Sequence, residues 1–232
     1  MLKSLIKDIK SLENPEHAKL LQRYFKTGKG EYGEGDIFLG IKMGEQRRLV
    51  KKYWNLNFSE IQKLLDSKIH EYRSIGFLIL VEKFQKSENK KKIFDFYLKN
   101  AHRANNWDLV DCSAHKIVGK FLLNKKRDIL YKLVKSNNLW EKRISIISTF
   151  AFIDNKELED SLKLGKILLN DSHDLIHKAV GWVLREVGKK DQKVLENFLK
   201  THYEKIPRTT LRYAIEKFEE KKRKKFLKGK FY

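Results

Sequence analysis

The sequence predicts an all-α fold, an α-solenoid of antiparallel helix pairs of the HEAT or tetratricopeptide sort with a concave basic groove. Three observations predict it. Apolar residues recur at helical spacing along most of the 232 residues. No stretch alternates as a strand would, and only 2 prolines occur. Basic residues also recur at the head of strongly apolar segments. Arg73 precedes residues 75–81, Arg143 precedes 144–150, Lys178 precedes 179–184 and Arg212 precedes 213–218. Their separations are 70 (143 − 73), 35 (178 − 143) and 34 (212 − 178) residues. One unit of about 35 residues holds two helices and two turns, the period of stacked helix hairpins. A single domain over residues 1–232 is expected.

From the N-terminus, Leu2, Leu5, Ile6, Ile9 and Leu12 form an apolar stripe with Lys3, Lys7 and Lys10 opposite. Asn14-Pro15 reads as an N-cap followed by proline at the first helical position. The helix after it carries Leu20, Leu21, Tyr24 and Phe25. Residues 27–40 are glycine-rich (Gly28, Gly30, Gly33, Gly35, Gly40) but lack the Gly-Lys-Ser/Thr ending of a phosphate loop, so a flexible connection is expected. Helix resumes from residue 40 to 54 with Arg47, Arg48, Lys51 and Lys52. Later breaks are expected at Asp66-Ser67, Ser87-Glu88-Asn89, Ser136-Asn137-Asn138 and Asp171-Ser172. Pro207 marks one more helix start, and the lysine-rich run from residue 219 reads as a solvated basic tail able to touch phosphates.

Composition narrows the function classes. Lys+Arg 51 against Asp+Glu 30 gives a formal net charge of +21, with 41% hydrophobic and 12% aromatic residues. That apolar content supports a packed core, so the excess charge sits on the surface and suits a polyanion, nucleic acid before an anionic membrane. One cysteine, Cys112, excludes an intrachain disulfide and is expected to be a buried structural thiol in a reducing compartment. Asp8 and Glu13 interrupt the only apolar region near the N-terminus, so no signal peptide is expected. The longest strongly apolar run, residues 77–81, is far short of a membrane span. A cytoplasmic monomer without cofactor or metal, not attached to membrane, is expected. His173 and His177 have the spacing of a two-histidine metal site, but no third ligand accompanies them and a capping role for His173 is preferred.

The repeat places its missing marker near residue 108, where Asn105-Asn106-Trp107-Asp108-Leu109-Val110-Asp111 stands. Carboxylates occupy the place where neighbouring repeats have cations, and an array tends to break its pattern where it works. On a helix, Trp107 and Asp111 share one face. The alternative is a plain helix start, with Asn or Asp as cap and Trp107 in the core. Trp107 and Trp140, each after an Asn-Asn pair, return the period as 33 (140 − 107). Arg143, Lys178 and Arg212 are expected along one groove flanking Asp111.

The stretches Gly35-Asp36-Ile37-Phe38-Leu39-Gly40, Asn106-Trp107-Asp108-Leu109-Val110-Asp111, Asn138-Leu139-Trp140-Glu141-Lys142-Arg143 and His177-Lys178-Ala179-Val180-Gly181-Trp182-Val183-Leu184-Arg185-Glu186 occur in this order. With Arg212-Tyr213-Ala214-Ile215 they cover most of the chain. In these stretches the sequence resembles the AlkD-type DNA alkylation repair proteins, HEAT-like-repeat DNA glycosylases. The resemblance implies a catalytic carboxylate at Asp111, cleft aromatics at Trp107 and Trp182, an arginine beside them at Arg143 and a further cleft position at Tyr24. Arg47, Arg73, Lys178, Arg185 and Arg212 are expected to meet DNA. In one respect the sequence departs from the catalytic members: Asn106 stands where they carry a second aromatic before Trp107. The partner implied is double-stranded DNA carrying alkylated bases, acted on without base flipping. Two other readings are a non-catalytic solenoid binding damaged or branched DNA, and a scaffold for acidic proteins.

Overall fold

The computed structural model describes residues 1–231 and is all-helical; among them an isolated bridge between Ile37 and Ile69 is the extent of β pairing. The fold class is that of an α-solenoid, as expected. The helices gather into two compact units, Met1–Ser113 and a second from Ala114 onward. Repeats that touch chiefly their neighbours permit such a division.

The first unit runs α1 (Leu2–Lys10), α2 (Pro15–Tyr24), α3 (Met43–Tyr53), α4 (Phe58–Leu65), α5 (His70–Lys86), α6 (Lys90–Lys99), a 3-10 turn (Ala101–Arg103) and α7 (Trp107–Asp111). The stripe of α1 buries Leu5 and Ile9. Asn14 Oδ1 accepts from the His17 amide at 2.9 Å and starts α2, as its sequence signals. Ala18 and Phe25 are buried, whereas Leu20 and Tyr24 are 68% and 65% exposed. Gly40 explains part of this: at φ +83 it lies so close to α2 that a Cβ would stand 2.1 Å from Asn14 O. The loop covers the Ala18 side and leaves the other open. α5 is buried on nearly every face because α3, α4, α6 and α7 all pack on it.

The second unit opens with a π-helical segment (His115–Gly119) that continues into α8 (Lys120–Leu122). It proceeds through α9 (Asp128–Leu133), α10 (Leu139–Ser148), α11 (Phe150–Asp154), α12 (Glu159–Leu168), α13 (Asp174–Lys190), α14 (Gln192–His202), a 3-10 turn (Tyr203–Lys205), α15 (Arg208–Ala214) and α16 (Glu220–Leu227). Here α13 is central, with α10, α11, α12, α14 and α15 against it. Gly181 permits a close crossing with α15, since a Cβ there would lie 2.5 Å from Tyr213 Cβ and 2.7 Å from Thr210 O. His173 caps α13 through Nδ1, which accepts from the Leu175 amide at 3.1 Å.

The C-terminal run is not a solvated tail. Its apolar residues order it: Phe226 is 2% exposed and packs edge-on to Phe218 and Phe231. Tyr203 Oη and Arg208 donate to the Leu227 carbonyl at 3.3 and 2.9 Å. α16 is thus fastened to the 3-10 turn and to the start of α15. Phe226→Ala should cost about 3–5 kcal/mol, read as a lower urea midpoint, with α16 amides exchanging faster than those of α13.

The repeat is visible in helix register. Asp111 is the fifth residue of α7, Arg143 of α10, Lys178 of α13 and Arg212 of α15, while Arg73 is the fourth of α5.

Candidate catalytic and nucleic-acid-binding residues

Asn106 builds the start of α7. It is extended (φ −150, ψ 156), fully buried, and its Oδ1 accepts from the Trp107 amide at 2.8 Å. Leu109 and Val110 are buried beneath the helix, leaving Trp107 and Asp111 half-buried. The Asn106 cap is as expected of a helix start, and Trp107 packs partly against the core cluster of Ala18, Phe25 and Phe38. Trp107 stacks on Phe25 (5.2 Å, 22°), which stacks on Phe38 (5.1 Å, 15°). Tyr24 meets Trp107 edge-on at 6.0 Å and brings a largely exposed phenol to the same place. An aromatic shelf with a carboxylate one turn along is what the first unit presents. Cys112, expected to be buried, is half-buried.

Behind this shelf lies a buried ionic network that composition and period did not reveal. Asp36, from the glycine-rich loop, receives Arg73 at 2.7 Å, Asn105 Nδ2 at 2.8 Å and His70 Nδ1 at 3.2 Å. His70 Nε2 contacts Asp108 at 2.8 Å. Burial alone would raise the Asp36 carboxyl, but its hydrogen bonds to His70 and Asn105 and the Arg73 charge hold it below the usual range. Arg73 also donates to Ser67 O at 2.6 Å and Asn105 Oδ1 at 3.0 Å. Expected to meet DNA, Arg73 is instead 4% exposed and spent on internal acceptors. Its nearness to three local acceptors decided that. The expected flexible connection is likewise fastened at its far end: Ile37 pairs with Lys68 O and the His70 amide, and Glu71 accepts from the amides of Leu39, Gly40 and Ile41. His70-Glu71, polar residues at the head of a long apolar helix, were the sequence signal for this network.

In the second unit, Trp182 on α13 is half-buried against Phe150 at 4.7 Å. Arg143 is 5% exposed and donates to the Leu175 carbonyl of α13 at 2.6 Å. It is a buried brace between α10 and α13 rather than a displayed cation, because its position in α10 faces the first turn of the next repeat. Lys178 pairs with Asp174 at 2.8 Å and keeps 40% exposure. Arg185 is held by Glu216 and Glu186, so its charge is matched internally. Arg212 is exposed on α15, as Arg47 is on α3. No group of His, Cys, Asp or Glu among the described residues could hold a metal ion. No helix there is long and apolar enough to cross a membrane.

Comparison with known proteins adds a decisive observation: residues 5–218 match the family described as DNA alkylation repair enzyme. The chain belongs to that family. A solved structure with the same fold is that of a predicted DNA alkylation repair enzyme from Enterococcus faecalis, at a TM-score of 0.71 and 18% identity, covering 90% of this chain and 97% of that one. No curated protein matches the sequence. Membership of a DNA alkylation repair family makes DNA the partner of this basic surface.

Proposed function

We propose that this member of the DNA alkylation repair family is a monofunctional glycosylase that hydrolyses the N-glycosidic bond of cationic alkylated purines in duplex DNA, as a monomer. One observation carries the proposal. At the fifth helical position, where the sequences of α10, α13 and α15 have the cations Arg143, Lys178 and Arg212, that of α7 has the carboxylate Asp111, one turn from an aromatic shelf. A purine alkylated at N3 or N7 already bears positive charge, so its departure requires no general acid. The demand that remains is the cationic character developing on the deoxyribose, the same demand met in glycoside hydrolysis. Asp111 stabilises that cation and orients water for attack at the anomeric carbon.

Trp107 offers an electron-rich face to the cationic nucleotide, about 0.5–2 kcal/mol, a gain that unmodified bases do not receive, and Trp182 is a second such aromatic by the family resemblance alone. Tyr24, beside Trp107, extends that surface. Arg143, as a brace onto α13, fixes the helix that carries Trp182. The base stays stacked in this reading, with the protein acting from the sugar and backbone. Single-turnover assay of 7-methylguanine or 3-methyladenine release from methylated duplex tests the reading; tight binding with no base release would leave the non-catalytic damage-binding alternative standing.

Phosphate contacts come from the exposed cations. Arg47→Ala and Arg212→Ala should each weaken binding across all duplex sequences and lower the slope of log K against log salt by about 1. Arg73→Ala should leave that slope unmoved, since its charge is internal. Titrations at several salt concentrations measure both.

A further inference from the structure

A chain of charged groups lies under α7 that the proposed chemistry does not use. Both nitrogens of His70 face carboxylates, Asp36 Oδ2 at 3.2 Å and Asp108 Oδ2 at 2.8 Å, and the ring is 3% exposed. A neutral imidazole has one N–H and can satisfy only one of them; the imidazolium donates to both. The second oxygen of Asp108 is buried with no hydrogen-bond partner among the described residues, so His70 is what holds this carboxylate. Asp108 belongs to the first turn of α7, and Asn105, bound to Asp36, stands just before its cap. The rings continue the connection. His70 stacks under Phe38 at 4.4 Å and lies 5.2 Å from Phe25, and Phe25 stacks on Trp107.

We propose that the His70 imidazolium is a positioning group that clamps the Trp107–Asp111 turn to the glycine-rich loop, and that the turn loosens when this ring loses its proton. The kinetic consequence rests on the glycosylase reading; the clamp itself does not. The charged groups facing His70 are Asp36 from the loop, Asp108 from α7 and Arg73 from its own helix. Burial works against the charged ring and so does Arg73, but the charge and hydrogen bond of Asp108, with the hydrogen bond of Asp36, outweigh both. They raise His70 from its ordinary 6.5 to about 9. Because the folded value lies above the unfolded one, the clamp is at full strength below about 6.5 and is lost as pH rises through about 9.

Imidazole nitrogen resonances of the DNA-free protein test the clamp directly. His70 should titrate near 9 in the parent and at least about one unit lower in Asp108→Asn. The corrected exchange protection of α7 amides should fall over the same pH range in each protein. In single-turnover base release, the rate should drop above the His70 titration point, and this high-pH limb should move downward in Asp108→Asn by the same amount as the resonance. In His70→Gln, which cannot carry the charge, the limb should disappear. A parent His70 titrating near 6.5 overturns the proposal. So does α7 protection that ignores its titration, or a limb that stays put in Asp108→Asn. If the parent releases no base at any pH, the glycosylase reading fails, while the resonance and exchange data still decide the clamp.

Discussion

Asp111→Asn is expected to slow single-turnover base release about 10²–10³-fold while affinity for duplex DNA stays close to that of the parent. The size follows from what the substitution removes. Asparagine keeps the shape and the half-buried setting at the end of α7 but replaces a full negative charge by a dipole. In a site screened from water, one preorganised electrostatic contact to a developing charge is worth about 2.7–4 kcal/mol. The contact exists only as the sugar becomes cationic, so the loss falls on the chemical step and not on binding. With a carboxylate removed from a protein of formal net charge +21, general attraction to phosphate is if anything increased. Equal rates for parent and variant would show that the carboxylate has been assigned wrongly. Equal loss of rate and affinity would instead point to collapse of the turn.

Glu71→Ala should be the most damaging substitution for stability among those in the first unit's polar network, lowering unfolding free energy by at least about 3 kcal/mol. Glu71 is fully buried and accepts from three successive amides, Leu39 at 3.0 Å, Gly40 at 2.8 Å and Ile41 at 3.3 Å. Alanine leaves all three donors without their acceptor at about 1–3 kcal/mol apiece. Gly40 then loses the contact that keeps it in the left-handed region against α2. Glu71→Gln retains one carbonyl oxygen and should lose less. Urea unfolding followed by far-UV circular dichroism measures this: the midpoint should fall with the slope unchanged. An Ala variant unfolding at the parent's midpoint would mean that the loop is held by its backbone bridge and Asp36 alone. Against a typical total of about 5–15 kcal/mol, a loss of this size is a large share.

The sequence by itself determined the helical class, several helix boundaries and the period. Helical spacing, Asn14-Pro15, and the polar breaks at Asp66-Ser67 and Asp171-Ser172 are local signals whose physics acts within a few residues, and the helices begin and end where they point. The 35-residue interval located α7 as the anomalous member because register is inherited from repeat to repeat, and the fifth helical position carries it in α7, α10, α13 and α15. What a side chain at that position does was not local information. Arg73 and Arg143 read like Arg212 along the chain, yet the first finds Asp36, Ser67 and Asn105 and the second the Leu175 carbonyl, partners 32 to 37 residues distant apart from Ser67, which is 6 away. The same holds for the lysine-rich C-terminus, which charge marked as a tail and which Phe226 turns into a packed helix. Charge count fixes how strongly a residue is drawn to an anion. Only the tertiary structure decides whether that anion is a phosphate outside or a carboxylate within, because burial makes the nearest internal acceptor win.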